Sequence, residues 1–124
     1  MLGMELNLED KIMMTRETII QGMTNNVARQ IKAQGAKCFK IRTRLCEACD
    51  FIYTIENGVL HCYLMDEDGL HGDNAKNLTD SQLWLFADEF MQMAERACRR
   101  QCQSVKAREF ERAREEMRRV LTNK

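Results

Sequence analysis

Asn57-Gly58 stands between two apolar-rich runs, Phe51 to Ile55 and Val59 to Met65, and this dipeptide constrains the fold more than any other feature of the chain. A two-residue hairpin of type I′ needs positive φ at both central positions, and asparagine followed by glycine tolerates it well. With Asn57 and Gly58 as the turn the register has no further freedom: Glu56 faces Val59, Ile55 faces Leu60, Tyr53 faces Cys62 and Phe51 faces Leu64. The last three pairs share one face, because side chains alternate along a strand. Upstream, Phe39, Ile41, Thr43 and Leu45 alternate with Lys40, Arg42 and Arg44, the period-two pattern of a third strand with one wet, basic face. The expected sheet therefore has three antiparallel strands in sequence order, and it needs helices to cover its apolar face.

Helical patterns flank this segment. From Asn7 to Gln34, Leu8, Ile12, Ile19, Met23, Val27 and Ile31 recur at helical spacing. Asn7 can cap that helix and Gly35 can end it, while Gly22 and Thr24-Asn25-Asn26 leave two shorter helices as the alternative. The Met-rich start, with Met1, Met4, Met13 and Met14, reads as core filler or an adaptable contact surface. Asp66 to Asn77 reads as a polar, solvated loop carrying His71, without the ligand spacing of a calcium loop. Thr79-Asp80-Ser81-Gln82 is a capping box. No glycine follows Gly72 and the chain has no proline, so one helix can run from Asp80 to about Leu121, roughly 60 Å at 1.5 Å per residue. A chain of this length has a radius of gyration of only about 14 Å, so such a helix must break, project, or lie against a second subunit. Leu83, Phe86, Phe90, Met93 or Ala94, and Ala97 form the stripe that belongs on the sheet. Beyond them Phe110, Ala113, Met117, Val120 and Leu121 form a second stripe at near-heptad spacing. Unpartnered in a monomer, it is the expected interface for a homodimer or a protein partner.

The expected architecture is thus α+β and a single domain over 1–124: an N-terminal helix over 1–35, a small antiparallel sheet with its loop over 36–78, and a long C-terminal helix over 79–122 whose distal half serves as an arm. Nineteen basic and nineteen acidic residues cancel, so no net field points to nucleic acid or membrane. The distribution is less even than the sum: ten Lys or Arg against four Glu lie between Arg96 and Lys124, a basic tail on a more acidic body. With Glu5, Glu9 and Asp10 near the start and no apolar run of membrane-spanning length, the expected location is the cytoplasm. There, six cysteines are expected to be reduced thiols, metal ligands or core residues rather than a disulfide frame.

Cys46-Glu47-Ala48-Cys49 is the one motif with ligand-like spacing. Two thiolates two residues apart at a strand corner can grip a tetrahedral zinc ion. Cys98 and Cys102, four apart on a helix, would project from one side and could complete the set; His61 with Cys62 is a poorer second pair, because adjacent strand residues point to opposite faces, though one of them could complete a site with Cys38. The competing reading places Cys62, Cys98 and Cys102 in the core. A thiol-disulfide exchange site is disfavoured, since a strand rather than a helix start follows the pair. Only His61 and His71 could serve as imidazole bases; no glycine-rich elbow surrounds Ser81 or Ser104, and no phosphate-binding glycine loop occurs. Carboxylates lack an apolar setting that would tune them for acid catalysis.

These residues point to a non-enzyme: a small regulatory or inhibitory binding protein acting through protein-protein contacts, a type common among phage and mobile-element accessory proteins by analogy. The alternative is a zinc-stapled nucleic-acid-binding protein. In that reading Lys37, Lys40, Arg42 and Arg44 on the basic strand, with Arg112 and Arg119 on the terminal helix, would follow a phosphate backbone, although no stacking aromatic is evident beside the basic strand. Neither reading requires a small-molecule substrate.

Overall fold

The computed structural model describes residues 14–42 and 49–122. The element order is α1 (Arg16–Gln34), β1 (Phe39–Arg42), β2 (Asp50–Glu56), β3 (Val59–Asp66), β4 (Gly69–Asn74), a 3-10 turn (Ala75–Asn77), α2 (Asp80–Arg100) and α3 (Ser104–Thr122). The class is α+β, as expected, with an antiparallel meander in the order β1-β2-β3-β4. The hairpin turn forms at Asn57 and Gly58, with φ of 56° and 77°. Its register pairs Ile55 with Leu60, Tyr53 with Cys62 and Phe51 with Leu64. Local turn chemistry was sufficient to determine it.

The sheet has four strands where the sequence predicts three. Gly69–Asn74, expected as loop, pairs along β3 from Asp66–Gly69 to His61–Asn74. Gly-Leu-His-Gly-Asp-Asn has little strand propensity, so backbone pairing carries this strand. Gly72 makes it possible: a Cβ there would stand 2.1 Å from the Cys62 carbonyl oxygen and 2.7 Å from Tyr63 Cα.

Helix α1 begins later than the apolar period suggests. Thr15 caps it by accepting from the Thr18 amide, and Thr18 returns the bond; Asn7, Leu8 and Ile12 lie outside the described residues. It is one piece through Gly22, and Gly35 ends it at φ 62°. Arg16, unremarkable in the sequence, ties its first turn to the start of α2. Its guanidinium bonds Asp80 at 2.7 Å and donates to the carbonyls of Ala75 at 3.1 Å and Leu78 at 2.5 Å.

Every buried sheet residue (Phe39, Ile41, Phe51, Tyr53, Leu60, Cys62) lies on one face, and all three helices share a hydrophobic cluster with it. Phe86 of α2 meets Phe51 and Tyr53 at ring separations of 5.1 and 6.0 Å, and Phe90 meets Tyr53 and Phe39 at 5.6 and 5.7 Å. Such tilted contacts suit aromatic quadrupoles. Burial pushes the Cys62 thiol up to about 12, the behaviour of a packed residue rather than a nucleophile.

The long C-terminal helix is broken, and the expected arm folds back. The capping box at Thr79 and Gln82 starts α2, but Cys102 adopts φ 60°. Its amide donates to the Arg99 carbonyl at 3.1 Å, and that of Gln103 to the Cys98 carbonyl at 2.8 Å, which is a Schellman termination without glycine. A left-handed residue with a side chain costs about 1–2 kcal/mol. Helix α3 in return buries Ala107, Met117 and Leu121 and packs Phe110, Ala113 and Val120 against the core, at about 1.5–3 kcal/mol for each large side chain fully buried. The gain exceeds the strain. The stripe expected as an intermolecular interface is thereby satisfied within the chain.

Arg114 clasps the two helices. It bonds Asp88 and Glu95 of α2, both at 2.9 Å, and Glu95 also receives Arg99, four residues on, at 2.9 Å. Burial alone would raise the Glu95 carboxyl, but hydrogen bonds and charge from Arg99 and Arg114 outweigh it and hold the group below its ordinary 4.5. A lowered folded-state value means the contribution is present above 4.5 and is lost as pH falls through the folded value. Arg114→Met is therefore expected to cost about 1.5–3 kcal/mol at neutral pH and to flatten the fall in stability on acidification. Urea titrations at pH 7 and pH 3 check it; equal costs at both would show that the clasp is not electrostatic.

Candidate interaction surface

The alternation that sends Phe51 and Tyr53 into the core sends the intervening residues to the opposite face of the sheet, which nothing among the described residues covers. Its rows follow from the strand register. One row reads Arg42, Asp50, Met65, Leu70 and the next reads Lys40, Ile52, Tyr63, Gly72. Thr54, His61 and Asn74 form a third, and Glu56 with Val59 a fourth. The centre is apolar and aromatic: Ile52 and Tyr63 are half-buried by their neighbours, while Met65 and Leu70 are 38% and 52% exposed. Lys40 and Arg42 are exposed along one margin, and Arg42 lies 3.8 Å from Asp50.

A polar chain crosses the upper rows. Thr54 donates to Glu56 at 3.0 Å, His61 Nε2 lies 3.7 Å from Glu56, and His61 Nδ1 lies 3.3 Å from the Tyr63 hydroxyl. The His61 and Tyr63 rings are nearly parallel, at 16° and 6.2 Å between centroids. Burial, followed by the negative charges of Glu56 and Asp73, raises the Tyr63 phenol, so it is a neutral donor at physiological pH. The other histidine, His71, pairs with Asp66 at 3.0 Å on the far side of the β3–β4 hairpin. Among the described residues neither histidine is hydrogen-bonded to a serine, threonine or cysteine.

Lys37, Lys40 and Arg42 are exposed, as expected of the basic strand, while Arg44 and Cys46 lie outside the described residues. Arg112 and Arg119 are exposed on α3, in the helix layer, so the two basic sets do not make one surface; Arg119 pairs with Glu116. Cys49 is buried just before β2 and is disulfide-bonded, where reduced thiols were expected; its sulfur is not available as a thiolate ligand in this state. Cys98 and Cys102 do not sit on one helical face, since Cys98 is buried in the last turn of α2 and Cys102 occupies the left-handed corner. Cys38, Cys62, Cys98 and Cys102 are free thiols, and no group of three or more His, Cys, Asp or Glu is gathered for a metal among the described residues.

Sequence reasoning missed Ile52, Tyr63, Met65 and Leu70 as surface residues. The signal was present for the first three: a hairpin register that buries Phe51, Tyr53, Cys62 and Leu64 leaves their neighbours on the other face. Leu70 had no such signal, because β4 was not predicted. Comparison of the chain with protein-family models, with curated proteins and with solved structures finds no match. No described helix is long and apolar enough to cross a membrane.

Proposed function

We propose that this chain is a small non-enzymatic binding protein, regulatory or inhibitory in effect, that acts by laying the open face of its sheet on a partner protein. One observation carries the reading: an apolar centre of Ile52, Tyr63, Met65 and Leu70 is ringed by Lys40, Arg42, Asp50 and Glu56. Interfaces have that anatomy, a desolvated centre containing Tyr and Met within a charged rim. The far helix, whose stripe is consumed by the core, drops out as the contact surface.

The experiment is capture of the partner from source cells by tagged wild-type chain, followed by affinity measurement with Ile52→Asp/Met65→Asp and with Arg112→Glu/Arg119→Glu. The open-face pair is expected to weaken binding by at least about 30-fold, equivalent to about 2 kcal/mol, while circular dichroism stays unchanged. The helix-layer pair should bind like wild type. Retention of the partner by the open-face variant overturns the reading.

A second reading has specific support. Tyr63 and His61 share the open face with Lys40 and Arg42, so aromatics do accompany the basic strand once the sheet is assembled, the combination by which single-stranded nucleic acid is held. It predicts oligonucleotide affinity that falls steeply with salt and is lost in both Tyr63→Ala and Lys40→Glu/Arg42→Glu. Its zinc-stapled form further requires one zinc ion per chain in native mass spectra.

A further inference from the structure

The two edges of the sheet are not equivalent. The Asn57-Gly58 turn makes Glu56–Val59 a hydrogen-bonded pair, and pairs alternate from there. Residues 50, 52, 54 and 56 of β2 therefore bond β3, while Phe51 and Tyr53 bond Ile41 and Phe39 of β1. The free backbone groups of β1 are those of Lys40 and Arg42. An edge carrying a lysine and an arginine is the ordinary protection against pairing with another strand. On the other side, the turn at Glu67 and Asp68 makes Asp66–Gly69 a hydrogen-bonded pair, so Leu64–His71 and Cys62–Asp73 are bonded as well. The amide and carbonyl groups facing outward then belong to Leu70, Gly72 and Asn74, and the Asn74 amide is already taken by the Asp73 carboxylate at 2.6 Å, which leaves Leu70 and Gly72, neither of them charged. No hydrogen bond to either from another described element is present.

We infer that β4 pairs antiparallel with β4 of a second copy of this chain about a two-fold axis at His71, joining two sheets into one of eight strands. A two-fold pairing that uses the outward groups must match even-numbered residues with each other. Centring it on Gly72 sets two glycines face to face with no side chain between them; centring it on Leu70 gives up the end of the strand beyond Gly72. Centred on His71, Leu70 lies opposite the partner copy's Gly72 and receives its Leu70 over its own Gly72. Four main-chain hydrogen bonds form. The 52%-exposed Leu70 side chain fills the place at which Gly72 has none, extending a row that already holds Lys40, Ile52 and Tyr63. The same register brings the acidic turn at Glu67 and Asp68 toward Asn74 and Lys76 of the other copy, and the Lys76 side chain has no ion-pair partner among the described residues of its own chain. The contact is isologous and closes on itself, and it leaves both open faces on the same side of a widened sheet.

Sedimentation velocity across about 1 to 100 μM tests the assembly, and a cysteine placed on the axis tests its geometry. Directly opposed, non-hydrogen-bonded residues of an antiparallel pair have Cα atoms about 4.5 Å apart, within disulfide reach. In a Cys38→Ser/Cys102→Ser background, His71→Cys is expected to link two chains through one disulfide under air or oxidised glutathione, which takes up the two electrons and two protons released. Asp73→Cys, displaced from the axis, is not expected to link. Wild type should sediment as a dimer, and Leu70→Asp as a folded monomer by circular dichroism. A wild-type monomer throughout the range overturns the inference, as does a dimer in which His71→Cys does not crosslink or Leu70→Asp has no effect. Because Ile52 and Met65 are not on β4, failure of this pairing and failure of the open-face reading show up in different variants.

Discussion

Replacing Tyr53 with alanine is expected to cost about 3–5 kcal/mol, the range for deleting a buried aromatic from a core, and so to bring a chain of this size near its unfolding threshold. Tyr53 is fully buried and meets three rings, Phe39, Phe86 and Phe90. It is the point at which β1, β2 and α2 are held together. Its hydroxyl donates to the Phe86 carbonyl at 2.6 Å, and burial raises the phenol well above its ordinary 10.0, so the group stays protonated and remains a donor. Tyr53→Phe removes that bond and keeps the ring. The Phe86 carbonyl retains its place in the helical ladder, so the cost should fall to about 1 kcal/mol. Urea midpoints of the two variants separate packing from hydrogen bonding. An alanine variant within 1 kcal/mol of the phenylalanine variant would mean that the aromatic cluster contributes little to stability.

Gly72→Ala is expected to cost about 3 kcal/mol or more, above the usual range for overpacking, because the atom met by the new Cβ belongs to the backbone. The Cys62 carbonyl oxygen at 2.1 Å and Tyr63 Cα at 2.7 Å cannot rotate away as a side chain would, and φ at this position is 154°, outside the range that side chains favour. Relief requires β4 to part from β3. The loss should therefore appear in hydrogen exchange first at the Leu64–His71 and Cys62–Asp73 pairs, with β2 protected longer, since Phe51 and Tyr53 are held from the other side by α2. Gly22→Ala is the internal control. Nothing lies within 4 Å of a Cβ at that helical site, and the substitution should stabilise by about 0.5–1 kcal/mol. Protection of β4 equal to wild type in Gly72→Ala would show that the strands do not approach so closely.

Several helix ends and turns were legible from short-range rules, though the Thr15–Thr18 cap of α1 was not among them. Asn57-Gly58 set a register that holds over the whole of β2 and β3, Thr79 and Gln82 form their reciprocal cap, and Gly35 closes α1 in the left-handed conformation. Where no such rule operates, the reading failed in identifiable ways. The break at Cys102 carries no glycine or proline to announce it; it exists because Phe110, Met117 and Leu121 gain more from the core than one strained residue costs. The strand at Gly69–Asn74 has a loop's composition and is held by pairing with β3. Arg16 and Arg114 look like any solvated arginines until their carboxylate and carbonyl partners, 64 and 26 or 19 residues away, are brought beside them.

The candidate surface divides along the same line. That Lys40 and Arg42 would be exposed follows from period-two alternation alone, and so does the outward placement of Ile52, Tyr63 and Met65 once the hairpin register is known. Whether that outward face would be open, or covered by one of the helices, could not be read from the residues. A four-stranded sheet with two apolar-bearing faces can be layered on either side, and the choice rests on which face the helices bury most area against. Here Phe51, Tyr53, Leu60 and Cys62 offered the larger apolar surface, so all three helices went to that side. The α+β class, the central hairpin with its register, the Thr79 cap and the Gly35 termination follow from the residues alone, because each depends on contacts within a few positions. That the long helix folds back, that a fourth strand forms, and that no described element covers one sheet face emerge only once the chain is assembled. Each of these compares burial energies between segments far apart in the chain, and no local pattern encodes that comparison.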